Sequence, residues 1–326
     1  MRPGFIAVVL VGAAAVTSAS CGGADKRASE SAEESVAAEI RASAEHHQHE
    51  RDRQERARAE ARSTTTALSA TDSLPARSAQ IDRRPTSSSG TWDGLLSAAD
   101  RASFARLAQQ LPGQEGIAVS TLGIGRPVNN AGTLSGGVAW STTKVPLAMA
   151  AINARVGTQA DLAQAITASD NAAAERLWTA LGDGAPAAAA VTEQVRVAGD
   201  HKTVIEARRL RAGLSAFGQT AWPLTDQVRF VAGMTCSSAG AHVLGLMNKV
   251  IAEQRWGLAA TRGEAQTKSG WGPGVTSGDA DGWLDRQMGV ITIRGKPIAV
   301  AIATTASNHT SGTQTLTAIA GACQAG

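Results

Sequence analysis

Three short clusters carry the residue types from which a hydrolytic site can be built, and they lie far apart in the chain. Ser141-Thr142-Thr143-Lys144 stands just ahead of an apolar helical run, Val145, Leu147, Ala148, Met149 and Ile152. A serine and a lysine three apart on a helix project from one face. At a helix start the serine also meets unpaired backbone N–H groups and the positive dipole end. A hydroxyl can become nucleophilic there without a histidine, provided the lysine is partly neutral, which burial beside other cations favours. A helix-capping serine followed by a surface lysine has the same lettering, so this cluster alone decides nothing.

The second cluster, Ser169-Asp170-Asn171, lies between Ala165-Ile166-Thr167-Ala168 and an alanine-rich run from Ala172 to Leu181. All three residue types cap helices well. The same loop could present a serine hydroxyl and an asparagine amide to a cleft. The third, Lys268-Ser269-Gly270, precedes Trp271 and the last two predicted strands. Glycine there would let a substrate backbone lie close to a strand edge, or would mark a bulge.

The elements that must bring these clusters together follow from periodicity. Leu96, Phe104, Leu107 and Leu111 fall near helical spacing, and Leu111-Pro112-Gly113 stops that helix. Apolar alternation from Gly116 to Val128, broken at Gly123 and Gly125, predicts strand, turn and strand. A largely helical stretch runs from Ser141 to about Asp200, and Thr225 to Met234 is a further helix. Strands are predicted at Gln287–Ile293 and Ile298–Thr304, then a last helix from Ser311 to Cys323. Strands at both ends with helices between them argue an α+β domain, its terminal strands paired in one antiparallel sheet under flanking helices.

Taken jointly, S-x-x-K, S-D-N and K-[ST]-G come in the order found in class A β-lactamases and penicillin-binding proteins. Trp140 to Leu147 resembles the nucleophile helix of that superfamily, and Ala165 to Ala174 its central loop with flanking helices. The resemblance spans most of residues 93–326. It implies a serine acyl-transfer site acting on β-lactams or cell-wall peptides, with no metal and no cofactor. Ser141 would attack the carbonyl, Lys144 would take its proton, and Ser169 would relay a proton to the leaving nitrogen. Asn171 would hold the substrate amide, Lys268 and Ser269 the substrate carboxylate. Gly270 would leave the strand edge open, and the backbone N–H groups of Ser141 and Trp271 would form the oxyanion hole. Asp170 would brace its loop.

Two departures bear on activity. From Ser141 to Ser169 is 28 positions, a shorter helical excursion than most class A enzymes have, which implies a reduced helical subdomain. Gly199-Asp200-His201-Lys202-Thr203 resembles the lead into the loop that carries the deacylating glutamate, yet that glutamate's place falls at Arg209. Arginine is not deprotonated at working pH and cannot be a base. Glu206 is the nearby substitute, although the surrounding arginines would more simply pair with it. Slow deacylation is one consequence. The alternative is a catalytically degenerate envelope lipoprotein that binds peptidoglycan fragments or a protein partner.

The remaining signals concern location and partners. Residues 1–20 have a short positive start, an apolar run from Phe5 to Val16 and small residues before Cys21, the layout of a secretory signal. Cys21 resembles a bacterial lipoprotein processing site, predicting a lipid anchor on the outer face of the cell membrane, or secretion if Cys21 is not acylated. Residues 21–91 are a charged, then Ser/Thr/Pro-rich linker without an apolar stripe, leaving 92–326 as the folded domain. With Cys21 acylated, Cys236 and Cys323 remain as a pair for a disulfide in an oxidising compartment. A net charge of only +3, 3% aromatic residues and no tyrosine argue against a nucleic-acid partner. A monomer is expected.

Overall fold

A computed structural model describes residues 96–325 apart from 262, 279, 280 and 294, and the side chains of 323–325 are not described. The signal segment, Cys21 and the linker lie outside the described residues.

The helix α1 (Ala98–Ala108) opens on a capping box in which the Ser97 hydroxyl and the Asp100 carboxylate each accept the other's backbone N–H. Two strands follow, β1 (Glu115–Thr121) and β2 (Val128–Gly132), and the chain ends in β5 (Ala265–Pro273), β6 (Trp283–Ile293) and β7 (Lys296–Ala306). These form one antiparallel sheet in the order β2-β1-β7-β6-β5, so the N-terminal strand pairs with the C-terminal one, with Ile117 opposite Ile302. The two ends of the folded segment therefore meet, as alternation at both ends predicts.

Both faces of this sheet are covered, and the strand sequences are apolar on both faces for that reason. One face of β1 and β7 is small, with Ala118, Ala299, Ala301 and Ala303, and helix α6 (Leu224–Met234) packs on it with Val228 and Val231. The opposite face is branched, with Ile117, Val119, Ile298, Val300 and Ile302. It buries Leu316 and Ile319 of the last helix, α8 (His309–Ala325). Full burial of each such Ile, Leu or Val is worth roughly 1.5–3 kcal/mol.

Between the strand groups lies the helical layer. Its central member α2 (Lys144–Ala154) is buried at every position from Lys144 to Ala151, and the alanines let neighbours approach closely. Around it stand α3 (Gln159–Ala163), which runs into a single π turn at Gln164–Ala168, α4 (Asn171–Ala180) and α5 (Gly184–Val197). The short excursion between Ser141 and Ser169 thus holds one full helix and one brief one. A ribbon of β3 (Gly136–Val138) and β4 (Ala221–Pro223), and helix α7 (Ser238–Met247), were not anticipated from the pattern.

One expectation is overturned. Cys236 is a free, exposed thiol and forms no bridge to Cys323. It sits in the turn between α6 and α7, and α6 packs on the small face of the sheet. Cys323 belongs to α8, on the opposite face. A parity argument pairs cysteines without knowing which face of the sheet each will occupy.

Candidate active site

Ser141 does not begin an α-helix. It lies in a 3₁₀ turn, Trp140–Thr143, that leads into α2 at Lys144. Residues three apart eclipse in a 3₁₀ turn, so Ser141 and Lys144 still share a side. Trp140 enters the turn with φ 49°, a left-handed conformation that costs a bulky residue energy and aims the next residue outward. Thr142 and Thr143 fold their hydroxyls back on the carbonyls of Ala139 and Trp140 and lock the turn from beneath. Ser141 itself is half-buried, and its hydroxyl makes no hydrogen bond among the described residues.

The turn rests on β5, the open edge strand of the sheet. A side chain at Gly270 would come within 2.9 Å of Ala139 O and Ser141 N, and one at Gly272 within 2.9 Å of the Trp140 indole. Glycine at position 270 is therefore required first by the nucleophile turn, which packs where a Cβ would stand. Closeness to a substrate comes second.

Lys144 is 1% exposed and Lys268 fully buried, and both reach the Ser169 hydroxyl. Lys144 Nζ donates to Ser169 O at 2.5 Å and Asn171 Oδ1 at 2.6 Å, and lies 3.3 Å from Ser169 Oγ. Lys268 Nζ donates to Ser169 Oγ at 2.7 Å and to Ser269 O at 2.9 Å. Three clusters separated by 25 and 99 positions thus share one oxygen atom. Burial pulls the Lys144 amine down from 10.5 to about 7, against the opposing fields of Asp170 and Glu175. Lys268 is held well below its ordinary range by burial first, then by the positive Lys144. At neutral pH a proton can therefore leave the Lys144 amine, and Ser169 Oγ stands between the two nitrogens.

The loop carrying Ser169 is set by its own geometry. The π turn ends with Ser169 at φ 57°, and Asp170 then caps α4, accepting Ala173 N–H at 2.7 Å. Asp170 is thus a brace. Asn171, at the first exposed position of α4, spends its carbonyl on Lys144 and leaves its amide N–H groups for a ligand.

Ser269 and Trp271 alternate to the other face of β5. Ser269 is 2% exposed, and its hydroxyl accepts from Gln287 Nε2 at 2.9 Å. Trp271 stacks on His309, ring centroids 4.5 Å apart, while His309 Nδ1 meets the buried Asp285 carboxylate at 2.5 Å. The Ser269 hydroxyl thus has Gln287 as its protein partner, while the Lys268 amine meets Ser169.

The loop from 200 to 216 forms a wall beside α4. Asp200, 1% exposed, ties it down by accepting Lys202 N–H, Thr203 N–H and Trp222 Nε1–H. Glu206 turns back on Arg208, whose N–H it accepts at 2.9 Å and whose Nε lies 3.4 Å away. Arg209 instead reaches across to Glu175 of α4, Nη2 to Oε2 2.7 Å, and to Leu214 O. A cleft of about 240 Å³ opens here, lined by Trp140, Asn171, Ala172, Glu175, Arg209 and residues 213–215. Glu175 was missed by the sequence reading. The available signal was its place four residues after Asn171, one turn along the same helix face.

This arrangement can be compared with solved structures. A β-lactamase from Chitinophaga pinensis superposes with a TM-score of 0.53 at 16% identity, over 68% of this chain and 97% of that one. The fold is that of the class A β-lactamases. A class A β-lactamase from Mycobacterium abscessus gives 0.50 at 17% identity, over 69% and 96%. No protein-family model matches the sequence, and no curated protein matches it. Within this β-lactamase-like fold, Lys144, Ser169, Asn171 and Lys268 converge, and the turn that carries Ser141 packs against Gly270 on the strand of Lys268. Glu206 stands outside the cleft lining, folded onto its own loop.

Proposed function

We propose that this chain is a serine acyl-hydrolase that opens β-lactams or cleaves cell-wall peptides through a Ser141 acyl-enzyme. In the same reading it is exported and held at the membrane by a lipid on Cys21. The observation that carries the proposal is the pair of buried lysines sharing Ser169 Oγ, one of them three residues on from Ser141 at the end of the same turn. Burying two amines together is costly, and it supplies what a serine nucleophile needs, a neutral amine near pH 7.

The steps follow from the contacts. Neutral Lys144 takes the Ser141 proton, directly or through one water, as Oγ attacks the carbonyl carbon. The backbone N–H groups of Ser141 and Trp271 hold the oxyanion, each donor worth ~3–4 kcal/mol. The C–N bond then breaks, and the leaving nitrogen receives the Ser169 hydroxyl proton, which the adjacent ammonium of Lys144 or Lys268 restores. Asn171 orients the substrate amide through its free N–H groups.

A fluorescent penicillin tests this directly. The wild-type chain should acquire a covalent label that survives denaturation, and Ser141→Ala should acquire none. Absence of label on the wild type between pH 6 and 9, with a melting transition proving it folded, would favour the degenerate binding protein.

A further inference from the structure

Hydrolysis of an acyl-serine ester needs a base for the attacking water, and the loop position where the sequence resemblance expects one carries Arg209. We propose that Glu175 of α4 is that base, with Arg209 as the group that positions it. The inference rests on the acyl-enzyme reading above and deepens it.

Four observations converge on Glu175. It lines the cleft together with Asn171 and Trp140, the neighbour of Ser141, whereas Glu206 does not. Its position one helical turn from Asn171 sets its Cβ about 5–6 Å from that of the residue holding the Lys144 amine. The field of its charge reaches the Lys144 ammonium. And only one of its oxygens is engaged: Oε2 meets Arg209 Nη2 at 2.7 Å, while Oε1 makes no hydrogen bond among the described residues. Its side chain is 29% exposed, open enough to hold a water and too enclosed to sweep freely. The guanidinium, itself tied to Leu214 O, fixes the carboxylate at the loop side of the cleft.

The step balances without an outside reagent. Glu175 takes a proton from water as the water oxygen bonds to the ester carbonyl carbon. The C–O bond to Ser141 Oγ then breaks, and Oγ recovers that proton from Glu175. A carboxylic acid leaves, the serine is free, and Glu175 is again ionised. Here the carboxylate comes from the helix and the cation from the loop.

The test is a pulse of fluorescent penicillin on the full chain, then excess unlabelled drug and timed loss of label. Glu175→Gln keeps an oxygen for Arg209 and should label within about threefold of the wild-type rate. Its adduct should persist about a hundredfold longer or more, the low end for loss of a general base. Glu175→Asp should recover part of the decay, and Glu206→Gln should decay like wild type. Decay of the Glu175→Gln adduct at the wild-type rate overturns the inference, as does a wild-type adduct equally persistent. Either result leaves the acyl-enzyme reading intact. No label on wild type removes that reading and this inference with it.

Discussion

The state of the Lys144 amine predicts how acylation must depend on pH. With the amine at about 7, its neutral fraction is about 9% at pH 6, about 50% at pH 7 and about 91% at pH 8. If the neutral form takes the Ser141 proton, the acylation rate constant rises about tenfold between pH 6 and 8. Below pH 6 it should fall about tenfold per unit. Because Lys268 is also depressed and lies across Ser169 Oγ from Lys144, the midpoint belongs to the coupled pair. One perturbation gives the sign independently. Asp170 raises the Lys144 amine, so Asp170→Asn, which keeps a side-chain oxygen for the Ala173 N–H, should move the midpoint to lower pH. The assay is quenched-flow labelling by a fluorescent penicillin at subsaturating concentration, so that the rate reports the free enzyme. A flat profile from pH 5 to 8, or a rise only above pH 9, would refute the neutral-lysine argument. A midpoint that moves up in Asp170→Asn would refute the electrostatic reading.

Two further perturbations follow. A lysine pulled from 10.5 to about 7 destabilises the fold by about 4 kcal/mol at pH 7, so Lys144→Met should melt higher than wild type while losing all labelling. Between pH 7 and about 10.5 the unfolded chain binds more protons at this site than the folded one. Wild-type stability from this group therefore rises with pH across that window, and the Lys144→Met variant should lack that rise in calorimetry. Gly270→Ala places a Cβ 2.9 Å from Ala139 O and Ser141 N, which must displace the nucleophile turn. Labelling should drop about a hundredfold or more, since misplacements near 1 Å cost that much, and an unchanged rate would show that the turn can yield.

How far this was legible in the sequence differs by element. The sheet strands betray themselves because branched or alanine-rich runs must fill two covered faces, and the S-x-x-K, S-D-N and K-S-G order carries the convergence. What spacing cannot carry is the far side of a fold. Glu175 reads as one polar residue on an amphipathic helix until Arg209 is placed opposite it. Ser269 reads as a hydroxyl beside a lysine, and only the folded sheet sets Gln287 Nε2 against it, 18 positions away. The 3₁₀ turn at Ser141 was hidden too, because its cause, the bed formed by Gly270 and Gly272, lies about 130 residues downstream and only tertiary packing overrides the local helical preference.

The backbone itself marks where the fold bears cost for chemistry. Among described non-glycine residues, four have left-handed φ, and Arg155 and Asp183 simply punctuate helix ends. The other two are Trp140, which precedes Ser141, and Ser169, which bridges the two amines. Such conformations cost about 1–3 kcal/mol each and persist only when surrounding structure enforces them. Here the enforcement is visible: Gly272 receives the Trp140 indole, and Lys144 and Lys268 clasp Ser169 from two sides. A chain that merely capped helices at these serines would relax both residues into ordinary regions and expose its lysines to water. Strain and desolvated amines occur together at this one place, and that coincidence argues for a nucleophile held ready to react.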